Sequence, residues 1–249
     1  MKTVSTLRKV LFAFIVLISL KCKKENASAV VADQSSNSQN ASLNDQNNRL
    51  VLQPGPEDGS DAVINKLLHY ADSRDGNLGQ VPELYIEAWT INRKAVFTRC
   101  YIKFDDLSSI PSNAKITSSH LYLYGVPNST SNPNGNSIYP GSPYNQWPDN
   151  RCLVSRVRKD WNEDSITWNN ASQWYETLQD TIPVSTARWN YNVVLNVEDM
   201  VTRMVRDSSN YGFSITLLNE TKYRSMIFAS SENPDASKRP KLIVNYRMP

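Results

Sequence analysis

Histidine, cysteine and long apolar runs are all scarce in this chain of 249 residues. Its two histidines, His69 and His120, lie in unrelated contexts, so the sequence offers neither a zinc set nor a histidine-activated nucleophile. Of three cysteines, Cys100 and Cys152 stand in strand-like stretches, where they read as a disulfide or as two small buried hydrophobes. The longest uncharged apolar run, Val10 to Leu20, is too short for a spanning helix, which needs about 20 residues. Excess positive charge is confined to one end. Residues 1–21 hold four of the 27 basic side chains (Lys2, Arg8, Lys9, Lys21) and no acidic one, leaving 23 basic against 24 acidic residues. With a formal charge near −1 after that leader, the chain has no excess of basic charge to recommend nucleic acid as a partner. No internal repeat is visible.

The leader has a basic start followed by a short apolar run, the pattern of a secretion signal over residues 1–21. Cys22 follows it directly, in CKKE. This resembles the lipobox of bacterial lipoproteins, and the CKKE run is similar to those of Bacteroidetes lipoproteins, although Lys21 replaces the usual small residue. The resemblance implies lipidation of Cys22 and an outer-membrane or cell-surface lipoprotein; a plainly secreted protein is the alternative. Residues 22–49 are rich in Ser, Asn, Gln and Ala without aromatics, a composition that cannot bury a core and reads as a flexible tether. Residues 50–249 then suit one all-β domain.

Within that domain, VFTRCYIKF alternates, with Phe97, Arg99, Tyr101 and Lys103 on one face and Thr98, Cys100, Ile102 and Phe104 on the other. ITSSHLYLYG, CLVSRVR, YNVVLNV, YGFSITLL, RSMIFAS and KLIVNY are further short runs rich in β-branched and aromatic residues, separated by Gly, Pro and Asn turns. They predict an antiparallel β-sandwich, jelly-roll-like. One short amphipathic helix interrupts: in NVEDMVTRMVRD, Val197, Met200, Val201, Met204 and Val205 form one stripe. Asn196 is its expected cap, and the helix reads as a lid over the core.

WNEDSITWNN, residues 161–170, concentrates candidate chemistry. Glu163 and Asp164 are adjacent and point apart on an extended backbone, whereas a glycosidase needs carboxyls about 5–10 Å apart across a cleft. NEDS reads instead as a turn with Glu163 solvated. Trp161 and Trp168 both read as structural, with Trp168 sharing the core face of Ile166. No enzyme is expected. The polar loop between Gly125 and Arg151 carries Tyr139, Tyr144 and Trp147 beside prolines, as sugar-stacking platforms or as rings folded back on the sandwich edge. Arg93, Lys94 and Arg99 are basic residues able to meet an acidic glycan. In ADSRDGNLG, Asp72, Asp75 and Asn77 are candidate ligands for a structural Ca²⁺, with a plain turn as the alternative; no other cofactor is expected.

Four stretches in order resemble the DNRLRE-domain proteins, a group overlapping carbohydrate-binding module family 96: LQPGPEDGSDAVI with DGNLGQVPELYI; CYIKFDDLSSIPSNAKITSSHLYLY; RVRKDWNEDSITWNN; and NYGFSITLLNE with YRSMIFASSENPDASKRPKLIVNY. The resemblance covers about Leu50 to Tyr246. It implies an exported, non-catalytic β-sandwich that binds carbohydrate, with acidic glycans such as alginate as ligands of some members. A structural or adhesion lipoprotein without a glycan ligand is the alternative. A monomer, tied to the membrane only through its N-terminal lipid, is expected.

Overall fold

The computed structural model describes residues 47–67 and 76–249. The signal segment, Cys22, most of the tether, Asp72 and Asp75 lie outside the described residues. In chain order the strands are β1 (Asn47–Leu52), β2 (Ser60–Leu67), β3 (Asn77–Leu78), β4 (Glu83–Ile91), β5 (Lys94–Lys103), β6 (Lys115–Leu123), β7 (Cys152–Arg156), β8 (Asp180–Ile182) and β9 (Val193–Asn196). The helix α1 (Glu198–Arg206) is followed by β10 (Phe213–Leu217), β11 (Arg224–Ala229) and β12 (Lys241–Arg247). This is the antiparallel β-sandwich with one short helix that the sequence predicts.

The smaller sheet runs β1-β12-β6-β9, and its pairing starts at Asn47 opposite Arg247, inside the stretch expected as tether. The larger sheet runs β11-β4-β5-β10-β7-β8. β5 organises it: β2 pairs along one edge, while β4 and β10 share the other, against Thr98 and Ile102 respectively. Asn92 and Arg93 join β4 to β5 with φ of 51° and 64° at the two turn positions, the left-handed pair of a tight hairpin.

The core lies between the sheets. Leu121, Leu242 and Val244 of the small sheet meet Leu84, Ile86, Cys100, Val154, Ile215 and Phe228 of the large one. Full burial of a side chain such as Phe228 contributes roughly 1.5–3 kcal/mol. Met200, Val201, Met204 and Val205 of α1 join this core. The Asn196 carboxamide oxygen accepts the Glu198 amide at 3.0 Å, although the residue at the cap position proper is Val197. Cys100 and Cys152 are both buried and free, and burial pushes both thiols up. Phe97 departs from its expected face and packs against the main core; next to it the Thr98 hydroxyl bonds the β4 backbone at Tyr85 and Glu87.

Two loop segments add to this frame. Val126 of the 126–150 loop packs with Ile227 and Ala229 in a small separate cluster. Asn136 and Ser137 also satisfy the free edge of β11: the Asn136 side chain accepts the Ile227 amide at 2.9 Å, and the Ser137 hydroxyl accepts that of Ser225 at 3.1 Å. An exposed strand edge is a pairing hazard, so this polar loop has a structural task.

Candidate functional site

A second apolar cluster forms where Ala62 and Ile64 of β2 and Tyr101 of β5 meet Val157, Trp161 and Ile166. The segment that covers them is WNEDSITWNN. Trp161 is 8% exposed, lies edge-on to Tyr101 at 5.7 Å and donates its indole N–H to the Tyr211 carbonyl at 2.9 Å, so it is structural as expected. The Asn162 side chain accepts the Asp164 amide at 3.0 Å, and the Asn170 side chain accepts the Thr167 amide at 2.7 Å. These bonds make consecutive turns, so the backbone is not extended.

Trp168 packs against this second cluster together with Ile166, as expected, and stands at its margin. It is half-buried and forms a wall of a cleft of about 600 Å³, together with Arg99, Tyr101, Arg158, Trp174 and Tyr175. The Arg99 guanidinium lies 4.2 Å from the Trp168 ring centroid and 5.0 Å from that of Trp174. Its Nε and Nη2 donate to the two carboxylate oxygens of Glu220 at 2.7 and 2.9 Å. Trp174 is held by an isolated bridge to Val157, flanked by the bonds Arg158 N–H to Gln173 carbonyl and Tyr175 N–H to Arg156 carbonyl. Arg156 and Arg158 approach the Tyr175 ring at 4.2 and 5.0 Å, and the Tyr101 hydroxyl donates to the Ser172 carbonyl at 2.8 Å. Lys66 stands 5.5 Å from the Trp168 centroid, and Glu176 lines the same cleft.

Chemically, the described lining of the cleft offers flat aromatic faces beside guanidinium groups, with Glu176 as its carboxylate. Ring quadrupoles favour cations and polarised C–H groups over their faces. Cavities with aromatic walls and a few placed polar groups are the usual form of small-ligand sites.

Of the candidates among the described residues, Arg99 alone lines this cleft. Arg93 and Lys94 sit at the β4–β5 hairpin tip, which separates them along β5 from Arg99. Tyr144 and Trp147 join Trp89 and Tyr223 in a four-ring cluster, with centroids 4.6 Å apart for Trp89–Tyr144 and 5.1 Å for Trp147–Tyr223, both edge-on. The Tyr144 hydroxyl donates to Asn134 at 3.2 Å, and Tyr139 contributes its carbonyl to Asn145 at 2.9 Å. The Tyr144 and Trp147 rings pack against Trp89 and Tyr223, as the folded-back alternative has it. Asn77 directs its amide to the Glu163 and Ile166 carbonyls at 2.5 and 2.8 Å. Glu163 is not solvated: it is half-buried, its Oε1 accepts the Asp61 amide at 2.9 Å, and burial pushes its acid up to about 7. It does not line the cleft. Sequence reasoning missed Trp174, Tyr175 and Arg158, although QWYE places two aromatics together outside any strand pattern.

Residues 144–246 match the family model of carbohydrate-binding module family 96. Over that stretch the chain is carbohydrate-binding module family 96-like, and the match supports a carbohydrate-binding module. Such modules are non-catalytic. The match includes the cleft wall from Arg158 to Thr177 and stops short of Arg99. No curated protein matches the chain.

Proposed function

We propose, on the premise of that match, that the protein is an exported, non-catalytic surface module that binds an acidic polysaccharide in the Trp168–Trp174 cleft. The observation that carries this reading is the pair of tryptophans flanking Arg99 in a cleft large enough for a sugar residue. Ring faces take the C–H faces of a pyranose. Arg158, exposed beside Tyr175, supplies a guanidinium whose planar donor fork suits a uronate carboxylate. Arg99 is already engaged by Glu220, which offsets its charge, so its part is to hold the two rings in place. Cys22 carries the lipid that tethers the module to the membrane surface through residues 22–49.

Affinity electrophoresis against polyuronates and neutral glucans tests the reading. Retardation by a polyuronate that fades with added salt is the expected result, since exposed charge pairs are screened. Retardation by no glycan at all contradicts it and leaves the adhesion role. Fatty-acid labelling that disappears in Cys22→Ala is the expected result for the anchor, and an unchanged or absent label contradicts it.

A further inference from the structure

Three carboxylates from distant parts of the chain meet at the start of β2. Asp61 belongs to β2, Glu163 to the turn after Trp161, and Glu232 to the loop after β11. One oxygen of each lies within 4.8 Å of those of the other two. Asp61 is 2% exposed. Its Oδ2 accepts the Ser231 amide at 2.7 Å, while its Oδ1 is buried with no partner. Glu232 repeats the pattern: Oε1 accepts the Ser231 hydroxyl at 2.9 Å, and Oε2 is buried and unpartnered. Glu163 is locked in place through the Asp61 amide. It is also held by the close approach of Gly79, where a Cβ would stand 2.5 Å from the Glu163 carbonyl oxygen.

We propose that Asp61, Glu163 and Glu232 bind one calcium ion, which staples β2, the Trp161–Trp168 turn and the loop after β11 together. Orphaned buried oxygens are rare because desolvation without a partner is costly, and here two of them belong to one cluster. Ionised carboxylates have no proton to donate, so only a shared proton or a cation satisfies such a pair. Among the described residues no lysine or arginine forms an ion pair with any of the three. Burial, and then the charge of Glu232, raise the Asp61 acid, which is how a group of carboxylates without a countercharge responds. A cation is the other way to neutralise them.

The donor set selects the ion. It is all oxygen, with no thiolate or imidazole, which favours calcium, magnesium or manganese over zinc or copper. Carboxylates arriving from a strand, a turn and a loop suit calcium, which accepts six to eight oxygens in irregular arrangements and completes its shell with water. Magnesium demands a near-ideal octahedron. The ion would also fix the turn that presents Trp168, so it supports the cleft without taking part in it.

Titration calorimetry of the full chain, stripped with a chelator and dialysed, tests the site with calcium and, in parallel, magnesium. One calcium per chain with a dissociation constant of about 1 mM or tighter is expected, together with a calcium-dependent rise in melting temperature. Glu232→Gln should weaken calcium binding by about tenfold or more while leaving the metal-free protein folded, because an amide relieves the repulsion. Glu163→Gln provides a second variant of the same kind. No calcium bound at about 10 mM, binding unaltered in both variants, or a preference for magnesium overturns the assignment. Glycan retardation is read separately in the native protein with calcium present, so that failure of the metal site and failure of the cleft remain distinguishable.

Discussion

The Arg99 guanidinium lies over the ring of Trp168 at 4.2 Å while both carboxylate oxygens of Glu220 hold its edge. Planarity serves both contacts at once, and lysine has neither the fork nor the plane. Arg99→Lys should therefore lower stability by about 1 kcal/mol, the scale of a half-exposed stacked pair. It should also weaken glycan retention despite the retained charge. Denaturant midpoints and affinity gels check the two effects, and an unchanged midpoint argues against the stack as a support of the cleft.

Trp161 and Trp168 share one motif and separate in role. Trp161 is buried and bonded to the Tyr211 carbonyl. Trp161→Phe should cost about 1–3 kcal/mol, mostly for the orphaned carbonyl, and Trp161→Ala about 3–5 kcal/mol. In urea unfolding, Trp168→Ala should cost clearly less than Trp161→Ala. Equal costs would return Trp168 to the core.

The strands with clean alternation or β-branched runs were legible in the sequence, as were α1 and its acidic first turn. β4 was not read as a strand, for a physical reason: loop 126–150 covers its outer face, so Glu83 and Glu87 are buried and the polar alternation signals nothing about solvent. The pairing of Trp168 with Ile166 is legible, since both join the second apolar cluster; its exposure to the cleft is not, because residues 162–170 are turns and not an extended strand. In the sequence Glu163 stands beside Asp164, whereas Asp61 lies 102 residues away and only the fold brings them together. Arg99 was found by charge; the rings around it come from a segment whose position is set by a single bridge.

Glu87 makes stability depend on pH. Burial lifts its acid from the ordinary 4.5 to about 7, against the lowering effect of the Asn132 amide at 2.7 Å. A carboxyl raised in the folded state binds protons more tightly there than in the unfolded chain. Its stabilising contribution is therefore full below pH 4.5 and is lost as pH rises to about 7. Relative to Glu87→Gln, the native protein should lose about 3 kcal/mol across that window and nothing further above it. Chemical denaturation of both proteins from pH 4 to 8 measures this, and parallel curves would contradict it.

Cys100 and Cys152 are free and fully buried, with thiols raised by burial. In a Cys22→Ala background, a thiol reagent should label neither in the folded protein and both after denaturation without reductant. Failure to label the denatured chain would instead reveal a disulfide.

Isothermal titration with a polyuronate, comparing Trp168→Ala and Trp147→Ala with the native protein, tests the location of the glycan site most directly. Binding should vanish in Trp168→Ala, with folding intact, and persist within about threefold in Trp147→Ala, whose ring is packed against Tyr223. Binding kept in Trp168→Ala and lost in Trp147→Ala would contradict the cleft and move the site to the loop.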